Sequence, residues 1–194
     1  FGDYGYIGIT MFDEETGKDF KKVLQELTDD GVKGIVLDMR GNPGGVVDAA
    51  YEIGDAILPK TSFVTLKNNK GEVIEDYKTD DKYNDIKMVV LVNEGSASAS
   101  EILAGAISDL DRAKIVGKKT YGEGVVQNVI ALPEGDGLKL TTSEYFTPSG
   151  DSINKLGIEP DVEVDLPENI KGIGIDYQET DTQLQKALEI LKEK

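Results

Sequence analysis

The stretch Met88-Val89-Val90-Leu91-Val92-Asn93-Glu94-Gly95-Ser96-Ala97-Ser98-Ala99-Ser100-Glu101-Ile102 decides the fold. Five apolar residues read as a buried strand, a glycine marks a turn, and small residues follow. Ile102, Leu103, Ala104, Ala106 and Ile107 then recur at helical spacing. A strand that turns sharply into a helix exposes the residue at the turn and aims unpaired backbone N–H groups at whatever binds there. With a serine at that point, this is the geometry of a nucleophile beside an oxyanion site, and Ser98 is the candidate. Small residues also serve close helix packing, so the local pattern leaves both readings open.

Working outward, the same grammar repeats. Gly34-Ile35-Val36-Leu37-Asp38-Met39 is a short apolar run bounded by turn signals, read as a buried strand. It enters Arg40-Gly41-Asn42-Pro43-Gly44-Gly45, a loop able to bring bare backbone close to a ligand. An N–H of Gly44 is then a candidate oxyanion donor, with the N–H of Ala99 as the second; a plain tight turn is the alternative. Val46 to Leu58 reads as a helix stopped by Pro59.

Before these, Tyr4 to Met11 reads as a strand, and a helix capped by Thr16 carries Phe20, Val23, Leu24 and Leu27 to Asp30-Gly31. Phe63–Lys67 and Glu72–Tyr77 flank Asn68-Asn69-Lys70-Gly71 as a hairpin, and 80–85 is a polar surface connection. Ala113–Val116 is a further apolar run. Val125–Leu132 and Leu138–Thr142 make a second hairpin across Asp136-Gly137, and 144–150 reads as a loop. Gly157 to Val164 is extended, and Asp181 caps a final helix through Leu184, Ala187, Leu188 and Leu191. Strands alternating with helices predict an α/β layer fold with extra hairpins. One core over 1–170, with 171–194 as a linker and helix packed on it, is the economical division.

Composition narrows the chemistry. The 194 residues carry a net charge of −16 and a pI near 4.4, which disfavours nucleic-acid binding. No apolar run approaches the ~20 residues of a membrane span. The chain begins at Phe1 rather than Met and reads as a piece of something longer, without a visible export signal. It has no Cys and no His. Thiol nucleophiles, Cys or His metal sites and a Ser-His-Asp triad are thereby excluded within the chain. A nucleophilic serine must use a lysine, a carboxylate or a partner molecule as its base. Lys114, Lys118 and Lys119 follow Ser98 most closely, and a lysine base requires desolvation. Ser96 and Ser100 are read as possible hydrogen-bonding partners of the helix start.

Taken in order, the motifs resemble the protease core of the C-terminal processing peptidases, also called tail-specific proteases. They are Gly5-Tyr6-Ile7-Gly8-Ile9; Asp38 to Gly45; Val92 to Ile102; Gly117-Lys118-Lys119-Thr120-Tyr121-Gly122; and Tyr145 to Gly150 followed by Gly157-Ile158-Glu159-Pro160-Asp161. The resemblance implies a crotonase-like α/β core and a serine peptidase with a Ser-Lys dyad. It implies protein or peptide substrates with an exposed C-terminus, an extracytoplasmic location, a PDZ domain in the parent protein, and no metal or organic cofactor. It carries the nucleophile onto Ser98, the oxyanion hole onto the N–H groups of Gly44 and Ala99, and the residue that positions the base onto Gln127.

At one position the chain departs from this pattern. The family's base is a lysine four residues before the glutamine, and here that position is Glu123. A glutamate, with a reference pKa of about 4.3, is a weak base for a hydroxyl. Its negative charge also opposes a developing oxyanion. The expectation is therefore a weakened or silent peptidase, a pseudopeptidase that binds tails without cutting them, or a scaffold that keeps the fold alone.

Overall fold

In the computed structural model, residues 2–131 and 135–193 are described, with 128, 129 and 131 as backbone only. Five parallel strands form the main sheet: β1 (Tyr4–Gly8), β2 (Gly34–Asp38), β5 (Met88–Val92), β6 (Lys114–Gly117) and β9 (Val162–Glu163), in the order β1-β2-β5-β6-β9. An antiparallel sheet has the order β4-β3-β8-β7, from β3 (Ser62–Asn68), β4 (Val73–Lys78), β7 (Val125–Ala131) and β8 (Gly137–Phe146).

The central strands β2 and β5 are buried at every residue because both faces of the parallel sheet are covered. Side chains alternate between those faces. Ile35, Leu37, Met88, Val90 and Val92 join the main core, which is filled by α1 (Thr16–Asp29), α2 (Val47–Ile57) and α3 (Ala99–Asp109). Val36, Val89 and Leu91 turn the other way and meet Leu184, Ala187 and Leu191 of α4 (Thr182–Lys192). At about 1.5–3 kcal/mol per fully buried large aliphatic side chain, this two-sided burial dominates the stability of the sheet. Asp38 shares the Val36 face of β2 and so points toward α4.

Among the described residues the predicted strands and helices are present, with three differences. β1 ends at Gly8 rather than Met11. Ile9 still donates its N–H to Asp38 O at 2.9 Å, but the chain then leaves the sheet, and Phe12 donates to Gly44 O at 2.9 Å. Thr16 does not cap α1; it is the first helical residue, and the Asp13 carboxylate accepts the N–H groups of Glu15 and Thr16. The segment expected as a loop from Glu144 onward is strand through Phe146, because Tyr145 and Phe146 pair with β3. Leu132, where the strand reading of β7 ended, lies outside the described residues. Asp181 caps α4 as expected, accepting the Leu184 N–H at 3.0 Å.

Candidate active site

The turn between β5 and α3 is built by Asn93. Its Oδ1 accepts the N–H groups of Gly95 at 3.0 Å and Gly41 at 2.7 Å, tying the turn to the loop after β2. Ser96, wholly buried, accepts the Asn93 N–H and donates its hydroxyl to Met39 O at 2.8 Å. Ser100 donates to Asn42 O at 3.0 Å, and so does the Ala97 N–H at 3.0 Å. Ser96 and Ser100 therefore do not cap α3; they fasten its start to the neighbouring loop.

Ser98 occupies the N-cap of α3 with φ +53° and ψ −115°. A non-glycine residue rarely adopts positive φ, and such strain persists where the surroundings over-determine it. Here the flanking bonds of Ala97, Ser100 and Glu101 do so. Ala99 follows as the first helical residue, wholly buried. Among the described residues its N–H has no acceptor, as expected for the first turn of a helix.

Gly44 meets this turn at van der Waals distance. A Cβ placed there would lie 2.8 Å from Ala97 O, 2.8 Å from Ser98 Cβ and 3.0 Å from Ala99 N, so only glycine fits, and its φ of +99° also demands one. Gly44, Ser98 and Ala99 are thus brought together as the sequence suggested. The Gly44 N–H itself donates to Asn42 Oδ1 at 2.8 Å. In this arrangement the Ala99 N–H is open while the Gly44 N–H is occupied by its own loop.

Glu101 has the densest set of bonds in the site, and sequence reading gave it no role. It is 0% exposed. Its Oε2 accepts the Ser98 N–H at 3.0 Å and the Glu123 N–H at 2.7 Å; its Oε1 accepts the Gly122 N–H at 2.6 Å and the Thr120 hydroxyl at 2.5 Å. Four donors and the N-terminus of α3 stabilise the buried charge. The one readable signal was the Ser98-x-x-Glu101 capping-box spacing. The partners at 120–123 could not be read from it.

This carboxylate ties the backbone of Glu123 to the Ser98 turn. The Glu123 side chain is exposed, and Gln127 is exposed on β7 four residues further on. Among the described residues no hydrogen bond joins Gln127 to Glu123. The three lysines considered as bases are held elsewhere. Lys114 pairs with Asp111 and Asp161, Lys118 with Glu163 and Asp165, and Lys119 with Glu159 at 2.7 Å. The hydrogen bonds of Lys118 to Asp165 and Glu163 push its pKa above the ordinary lysine value, opposite to the direction a general base needs. Among the described residues no group of carboxylates is arranged to hold a metal ion.

Residues 3–164 match the sequence profile of Peptidase family S41. The chain is 42% identical over 188 residues to the carboxy-terminal-processing protease of Bartonella bacilliformis, covering 93% of this chain and 43% of that protein. It is likewise 42% identical over 188 residues to the carboxyl-terminal-processing protease of Picosynechococcus, covering 96% of this chain and 45% of that one. It therefore spans less than half the length of these relatives. Among solved structures it superposes on the photosystem II D1 C-terminal processing protease with a TM-score of 0.79 at 37% identity, over 86% of this chain and 44% of that one. A strained serine at a strand-to-helix turn, a glycine loop pressed against it and this likeness across most of the sequence agree, and the chain belongs to peptidase family S41, alongside the C-terminal processing serine proteases.

Proposed function

We propose that this chain is a C-terminal processing peptidase core that retains the groove for peptide tails and hydrolyses them weakly or not at all. The observation that carries the reading is Glu123. It stands where the family places its lysine, and its backbone is held on the same Glu101 oxygen as the backbone of Ser98. A lysine there would take the Ser98 proton and then offset the oxyanion charge with its ammonium. Glu123 offers a carboxylate in place of that ammonium, on a residue whose backbone N–H is bonded to the buried Glu101. Loss of a general base alone removes about 10²–10⁴ in rate. Lys114, Lys118 and Lys119 offer no substitute, since each is engaged with acids outside the site.

Ser98, the glycine loop and the open Ala99 N–H support a preserved groove. The same reading takes protein tails with exposed C-termini as ligands, an extracytoplasmic location, and a PDZ domain in the parent protein. Among the described residues no helix is long and apolar enough to cross a membrane.

A paired assay tests the proposal. This chain and its Glu123→Lys variant are incubated with an unstructured protein ending in apolar residues. Cleavage by the variant alone, abolished by adding Ser98→Ala, is the expected result. Equal cleavage by both chains would overturn the assignment of Glu123. Titration of a C-terminal peptide against Ser98→Ala then separates groove from scaffold: saturable binding supports the groove, and no binding at high peptide concentration removes it.

A further inference from the structure

Arg40 follows β2 by two residues and is buried, its side chain 0% exposed. All five guanidinium N–H groups are met. Nε faces both oxygens of Asp38 at 2.9 and 3.1 Å. Nη1 donates to Asp181 Oδ1 at 2.9 Å and Gln183 Oε1 at 3.0 Å. Nη2 donates to Asp38 Oδ2 at 2.5 Å and Asp181 Oδ2 at 2.8 Å. Asp181 is itself fixed by the N–H groups of Leu184 and Gly174, and Asp38 by the Tyr6 hydroxyl at 2.8 Å. The set is closed: one cation between two carboxylates, with three of its five acceptor atoms supplied by α4 and its cap.

Holding α4 in place does not require this arrangement. The helix buries Leu184, Ala187 and Leu191 against the sheet, and Lys87 Nζ donates to the carbonyls of Ile190 at 3.2 Å and Leu191 at 3.0 Å. A buried ion pair is a poor stability device beside apolar residues of the same volume. What a saturated guanidinium fork does provide is a fixed orientation. Arg40 N is bonded to Asp38 Oδ1 at 3.0 Å, and only Gly41, Asn42 and Pro43 separate Arg40 from Gly44. Arg40 thus begins the loop that ends at the glycine lying against Ser98 and Ala99.

We propose that Asp181 and Gln183 are positioning residues that act through Arg40 to hold the Asn42–Gly45 loop against the Ser98 turn. The consequence for peptide binding rests on the function proposed above; the positioning itself is read without catalysis or ligand.

Native-state hydrogen exchange on the Asp181→Asn variant tests it. Asparagine caps a helix as well as aspartate, so the cap is kept while the ion pair is lost. Two amides report on the loop: Gly44, bonded to Asn42 Oδ1, and Ala97, bonded to Asn42 O. Their exchange is expected to accelerate at least tenfold relative to Val90 and Ile115 in the sheet and to Leu188 in α4. A smaller change of the same pattern is expected in Gln183→Met, which removes one acceptor and serves if Asp181→Asn fails to fold. Unchanged Gly44 and Ala97, or acceleration shared equally with Leu188 or with the sheet, would overturn the proposal. Failure of peptide binding in the paired assay leaves this measurement unaffected, so the two readings fail separately.

Discussion

Ser98 and Glu123 hang from a single oxygen atom: Oε2 of Glu101 accepts the N–H of the first at 3.0 Å and of the second at 2.7 Å. The spacing of the Ser98 turn and the Glu123 backbone is thus set by a third, buried residue. Replacing Glu101 by Gln puts an amide NH₂ where one pair of donors now finds an acceptor. Each buried donor left unmet costs about 1–3 kcal/mol. Glu101→Gln is expected to lose about 3 kcal/mol, measured by urea unfolding. A loss below about 1 kcal/mol would mean that water or backbone shifts satisfy the site.

The positive φ of Ser98 gives a comparison between two substitutions that remove the same hydroxyl. Alanine keeps the strain and glycine releases it. Ser98→Gly is expected to be more stable than Ser98→Ala by about 1 kcal/mol, read as a higher midpoint in thermal unfolding. Equal midpoints would indicate that the turn relaxes once the hydroxyl is gone.

Gly44→Ala adds a methyl group 2.8 Å from Ala97 O and from Ser98 Cβ. At φ +99° no rotation of the side chain removes the contact, because a methyl has none to offer. The expected cost is about 1–3 kcal/mol, with loss of tail-peptide affinity in the Ser98→Ala background. Retained affinity would show that the loop does not line the groove.

Asp181 predicts an acid-sensitive step. Burial disfavours its charge, but hydrogen bonds from Arg40, Gly174 and Leu184 outweigh burial and hold its pKa below the ordinary 3.8. A depressed folded-state pKa contributes stability above the unfolded value that is lost as pH falls through the folded one. The gap between the unsubstituted chain and Asp181→Asn is expected to be flat from pH 7 to about 5, then to close below about pH 4. Chemical denaturation across that range measures it; a gap that widens toward acid would reverse the assigned sign.

Much of this was legible locally. β2 and β5 announce themselves as unbroken apolar runs because both faces are covered, and Asp181 is visible as a cap because the helix behind it is amphipathic. Thr16 misled because Asp13, three residues earlier, offers a carboxylate to the same N–H groups. Tyr145 and Phe146 looked like loop because Pro148 and Gly150 follow, whereas their strand character comes from pairing with β3, some 80 positions earlier. Besides Ser98, the partners of Glu101 lie 19 to 22 positions downstream, and besides Asp38 those of Arg40 lie 141 and 143 away, beyond any periodicity a window can carry.

That longest separation also has a meaning in time. A ribosome adds about 5–20 residues per second, so Arg40 emerges on the order of ten seconds before Asp181 exists to receive it. Throughout that interval the guanidinium has Asp38 but lacks α4. The helix that completes the charge cluster is thus the last of its members to be made, and the donors of Arg40 that Asp38 leaves unmet wait for it.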